Sequence, residues 1–324
     1  MSKPLGFLLF AVVVSSCTLA LAPAGARSSP QGGGKDKSTG KDTAKKDTAK
    51  DTGKPKEKLD PAKVKAQHEK AEQYYKEVFE VDTVPHYESA HFLLYGHGGR
   101  ALPTVAADLE RSYLKATKVL ELPKDPGPWP GKLTIYLLPD SQKYPRMVRV
   151  AQRRKADEDE FGSIFDDSAF PHVLAATTKA PGNLGIDATA STYMSGYLLQ
   201  LRAKTKLPDW LTEGFGRATT LYTLGTNYLS ADRRKAAAYL TMNSRSIGEV
   251  ASGNLGADEN PPLRASLLDY LAYSGRTSKF LPFIEGFRDD AKGNPGSLNT
   301  AFANAKTTDQ ELSKNWQAYA KALK

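Results

Sequence analysis

The apolar pattern of this chain changes character at Ala188. Before it, short aromatic and aliphatic runs are punctuated by Gly, Pro and Asp: SAHFLLY at 89–95, KLTIYLL at 132–138, and a shorter run at 172–178. Their length and punctuation predict strands. Two helical stretches, 61–81 and 102–120, alternate with them, the second through Val105, Leu109, Tyr113 and Val119. Beyond Ala188 helical spacing dominates, predicting helices over 188–204, 209–223, 229–242, 263–274, 277–288, 298–305 and 308–323. Strands first and helices afterwards point to an α+β fold. The expectation is a small mixed or antiparallel sheet in the N-terminal half, packed on a mostly helical C-terminal half.

The first 60 residues stand apart. Lys3, the apolar run Leu5 to Val14 and the small residues Ala24-Gly25-Ala26 have the anatomy of a secretory signal peptide, 1–26. The mature chain is therefore expected to be exported (periplasmic, cell-surface or extracellular) and to contain no transmembrane span. Cys17 is the one cysteine. Val14-Ser15-Ser16-Cys17 loosely resembles a lipobox, but the apolar run continues beyond it, which favours simple cleavage over a lipid anchor at Cys17. Cleavage at Ala26 leaves no thiol, so disulfides and cysteine chemistry are excluded from the folded part. Residues 27–60 repeat KDTAK-like units and lack the apolar side chains that could offset the entropy of ordering, the composition of a disordered linker. That linker carries +4 of the chain's net +9. A solvated spacer is the simpler reading, and a tether to an anionic cell-envelope component is the alternative. With no aromatic residue among the charges, nucleic-acid recognition is not expected.

Residues 61–324 are long enough for one large domain or two lobes, and are read as a single domain. Several familiar chemistries fail on inspection. An EF-hand loop begun at Asp157 puts Phe161 and Ser168 where oxygen ligands and a bidentate Glu are required, so the acidic stretch 157–160, with Asp166 and Asp167, reads as a solvated loop. Ser112 and Lys115 satisfy S-x-x-K without its companion motifs. No phosphate-binding glycine loop occurs, and none of His68, His86, His91, His97 and His172 forms H-x-x-x-H.

The segment that remains is LPDWLTEGFGRA, 207–218, preceded by the helical stretch ATASTYMSGYLLQLRAKTK, 188–206. Ala190, Met194, Tyr197, Leu198 and Leu201 give that stretch a core-facing stripe, beside a second stripe of Thr192, Gly196, Leu199 and Ala203. Gly196 costs ~1 kcal/mol relative to Ala at mid-helix, which suggests close packing or the loss of a larger residue. The combination of this helix, an L-P-x-W turn and W-L-x-E-G resembles the exported peptidase MA-like (gluzincin-type) domains. The resemblance extends over about residues 86–320 and includes HFLLYG, LTIYLLPD and a late tryptophan in ELSKNWQAYAKAL. In that family the first helix carries H-E-x-x-H, and the Glu of W-L-x-E-G is the third zinc ligand. Here the aligned positions are Thr192-Tyr193-Met194-Ser195-Gly196, and Glu213 alone matches a ligand. One carboxylate cannot hold a zinc ion that takes three or four protein ligands. A tyrosine of ordinary pKa ~10 cannot replace the glutamate as general base.

The resemblance thus implies a zinc-peptidase ancestry with the metal site lost and no cofactor. It points to a pseudo-peptidase with a binding or scaffold role, whose cleft holds an extended peptide or a cell-envelope component. Tyr193, Tyr197 and Trp210 are candidates for the cleft lining or for the core. Arg217, one helical turn beyond Glu213, is the expected partner of its carboxylate in place of the metal; a solvent-facing Glu213 is the alternative. A second reading keeps hydrolase activity by recruiting a metal to His91, His172 and Glu213.

Overall fold

Two strands of this protein are buried at every position, and that fixes their place in the molecule. In the computed structural model β2 (Phe92–Gly96) and β3 (Leu133–Leu138) are buried throughout, as expected of parallel strands covered on both faces. The structure describes residues 60–97, 99–125, 127–167, 170–177, 184–275, 277–290 and 293–323. The expected signal peptide with Cys17, and the linker as far as residue 59, lie outside the described residues.

The domain opens with α1 (Pro61–Phe79), which Asp60 caps by accepting from the Ala62 amide at 2.9 Å. A short β1 (His86–Glu88), β2, α2 (Leu102–Leu120), β3 and α3 (Tyr144–Gln152) follow. Next come β4 (Gly162–Asp167) and β5 (Phe170–Ala176). The sheet order is β1-β2-β3-β5-β4, with β2, β3 and β5 parallel and the two edge strands antiparallel to their neighbours. The mixed sheet and α+β class agree with the sequence pattern. Strand β4 was not foreseen; the stretch read as a solvated acidic loop contains the start of an edge strand, with Asp166 and Asp167 inside it.

Alternate strand residues face opposite ways. Leu93, Tyr95, Tyr136, Leu138, Leu174 and Ala176 pack against α1 and α3. Phe92, Leu94, Ile135, Leu137, Val173 and Ala175 meet the larger core, built on α2 and on the helical half. That half consists of α4 (Ile186–Ala203), α5 (Asp209–Leu224), α6 (Thr226–Met242), α7 (Ile247–Ser252), α8 (Asn260–Tyr273), α9 (Phe280–Glu285), α10 (Leu298–Asn304) and α11 (Asp309–Ala322). Trp316 on α11 is fully buried and donates to Ser266 Oγ at 3.1 Å. Among the described residues no helix is long and apolar enough to cross a membrane.

Candidate functional site

Helices α4 and α5 meet through residues too small to hold them apart. A Cβ added to Gly196 would stand 3.0 Å from the Thr212 carbonyl oxygen, and one added to Gly216 would overlap the Thr192 carbonyl. On the far side of α5, a Cβ at Gly214 would lie 2.9 Å from the Arg264 carbonyl of α8. Close packing is therefore the reason for the mid-helix glycine at 196. Thr192 and Gly196, the two positions that the resemblance gives to histidine ligands, both take part in this crossing.

Hydroxyl groups complete the contact. Thr220 donates to Ser191 at 2.9 Å, Ser191 to Ser112 on α2 at 2.8 Å, and Ser112 to Thr223 at 2.8 Å. Thr192 Oγ1 joins the chain at 3.3 Å from Thr220 Oγ1. Ser191, Ser112 and Thr220 are all buried, so each hydroxyl needs the partner it has. Ser112 is thus one link in a structural ladder tying three helices together.

The charges of α5 have different partners from the one expected. Glu213 accepts from Arg264 Nη1 of α8 at 2.6 Å. Arg217 instead makes a two-pronged contact with Asp232 of α6, Nε to Oδ2 at 3.0 Å and Nη2 to Oδ1 at 2.6 Å. The expected Glu213–Arg217 pair is corrected on that point: a third helix supplies the cation. The two pairs differ in environment. Side chains of Arg217 and Asp232 are 13% and 7% exposed, whereas Glu213 is 52% exposed. Glu213 faces the solvent of a cleft whose walls crowd it, and that crowding holds its carboxyl above the usual carboxylate range against the pull of Arg264.

The cleft encloses about 920 Å³ between β4, the exposed side of α4, the start of α5 and residues 257–264. Its sheet wall is β4, the last strand of the sheet among the described residues. Ala176 N donates to Phe161 O at 2.8 Å, and this sets the phase of the β4–β5 ladder. In an antiparallel pair, main-chain groups turn alternately toward and away from the neighbour. Ser163 and Phe165 therefore bond β5, while Gly162, Ile164 and Asp166 turn their amides and carbonyls outward.

Tyr193 forms the floor of the cleft. Its ring lies against Gly162, where a Cβ would overlap it, and meets Phe161 edge-on at 6.3 Å. Burial raises its phenol pKa, as do the nearby carboxylates of Glu213, Glu160, Asp209 and Asp159; it is a neutral hydroxyl and no general base. Tyr197 also lines the cleft and donates to Asp166 at 3.2 Å. Trp210 belongs to the core, 5% exposed and packed on Phe287. At the upper rim the acidic stretch is only partly solvated. Glu160 is held by both guanidinium prongs of Arg154, by the Tyr144 hydroxyl at 2.9 Å and by the Asp157 amide at 3.0 Å.

The structure does not bring His91, His172 and Glu213 together. His91 stacks on Tyr113 and bonds Glu110 at 2.6 Å. Burial acts to lower its pKa, but Glu110 outweighs that and raises it. His172 points to the α1 side of the sheet, stacked 4.7 Å from Phe165, while the cleft is on the α4 side. Among the described residues no cluster of His, Cys, Asp and Glu could hold a metal ion. Comparison with protein-family models finds no match, and comparison with curated proteins finds none either.

Proposed function

We propose that this chain is an exported, noncatalytic relative of the gluzincin-type peptidases that binds an extended peptide in the cleft beside β4. The observation that carries the reading is the outward-facing edge of β4 along a cleft of about 920 Å³. A strand edge satisfies an incoming strand through main-chain hydrogen bonds and is indifferent to most of its sequence. Below it, Thr192, Tyr193 and Gly196 provide packing and a neutral ring. Those residues support holding a peptide and offer no group that would activate water.

Replacing Ile164 by proline tests this. The substitution removes an outward amide while sparing the bonds from Ser163 and Phe165 to β5, a place where an edge strand tolerates proline. In fluorescence anisotropy with a dye-labelled octapeptide, Ile164→Pro should weaken binding about tenfold or more, the value of roughly one hydrogen bond with its desolvated partner. Unchanged affinity, with the fold retained by circular dichroism, would rule out pairing along β4.

A further inference from the structure

The cleft is opposite in sign to the molecule around it. Six acidic side chains line it, Asp157, Asp159, Glu160, Asp166, Asp209 and Glu213, against four basic ones, Arg154, Lys206, Arg217 and Arg264. Three of the cations are already engaged: Arg154 by Glu160, Arg264 by Glu213, and Arg217 by Asp232. What remains is Asp157, Asp159, Asp166 and Asp209 facing Lys206, whereas residues 61–324 as a whole carry a net +4. A cleft lined by one sign with low-dielectric walls focuses its field on whatever enters.

The acidic groups also come from more than one wall of the cleft. Asp209 and Glu213 stand one helical turn apart on α5, and Asp159 and Glu160 come from the loop before β4 on the opposite wall. Tyr193 lines the same cleft. Carboxylates on the walls of one cleft suit an ammonium or guanidinium, which gains from their charge. An anionic side chain at the same place would meet like charge, at a cost in affinity.

Resting on the peptide-cleft reading above, we infer that the preferred occupant is a cationic peptide whose lysine or arginine side chains meet the carboxylates of Asp159 and Asp209. Strand geometry carries the rest. In an extended peptide paired with β4, every second side chain faces the same way, so a basic residue at alternate positions presents its charges together to the acidic wall.

Three dye-labelled octapeptides test it on the full chain, alternating Lys-Ala, Ser-Ala and Glu-Ala. At about 0.01 M salt, where screening is weak, the lysine peptide should bind about tenfold tighter than the serine peptide, from a few exposed pairs worth up to about fivefold each. The glutamate peptide should bind weakest, and raising salt to about 0.15 M should narrow the spread. Asp159→Asn combined with Asp209→Asn, both at exposed positions, should reduce the lysine preference to about threefold or less. A lysine preference untouched by that double substitution overturns the assignment. Equal binding of all three peptides, lost with Ile164→Pro, overturns the charge preference and leaves the peptide cleft standing. No binding by any of them overturns both.

Discussion

The α4–α5 crossing and the cleft beside it share two helices but are built on opposite terms. At the crossing, glycines 196 and 216 bring carbonyls within reach of where a methyl would be, and buried hydroxyls fill the remaining space. On the cleft side, the same helices present Tyr193 and a half-exposed Glu213 to about 920 Å³ of solvent. Positions that the resemblance gives to metal ligands serve packing at the crossing, while the same helices also line the cleft.

The ion pairs of α5 measure that difference. Removing one partner of a buried pair strands the other, at a cost of about 3–5 kcal/mol. Arg217→Ala leaves Asp232, 7% exposed, in that position, so a large drop in denaturant midpoint is expected. Arg264→Ala frees Glu213, 52% exposed, into the cleft and should cost less than about 1 kcal/mol. Similar losses for the two variants would erase the distinction between packed crossing and open cleft.

Acid should act on the sheet wall before the crossing. His172 is 1% exposed, stacks on Phe165 of β4, and its Nε2 has no hydrogen-bond partner among the described residues. Nδ1 meets the Tyr136 hydroxyl at 3.4 Å. Burial lowers its pKa from 6.5 to about 4. The folded state therefore binds fewer protons than the unfolded one between those values. Stability from this group is full above pH 6.5 and falls as pH drops toward 4, by up to about 3 kcal/mol. His172→Phe should flatten that part of the pH–stability curve relative to the parent chain. An unchanged slope would show that another group carries the acid sensitivity.

How far these features could be read from sequence depended on whether their signals were local. Helices α4 and α5 begin and end within two residues of their expected limits, because their stripes and the Leu207-Pro208 turn are contiguous in the chain. Gly196 announced tight packing, and the opposing Thr212 and Thr192 carbonyls explain it. The partner of Glu213 was misjudged because Arg264 comes from α8, 51 residues away, and no periodicity marks it. Strand β4 escaped because an edge strand needs little apolar alternation, and its Asp166-Asp167 end reads as loop; such charges also discourage unwanted edge pairing. Separating His172 from Glu213 required knowing which sheet face β5 turns to each helix layer, which strand residues alone do not tell.

The central claim is that β4 receives another strand, and amide hydrogen exchange tests it at the atoms concerned. With saturating alternating Lys-Ala octapeptide, the outward amides of Ile164 and Asp166 should slow by at least about tenfold, while Ser163 and Phe165, already bonded to β5, change little. Peptide bound with those outward amides exchanging at their free rate would contradict the account.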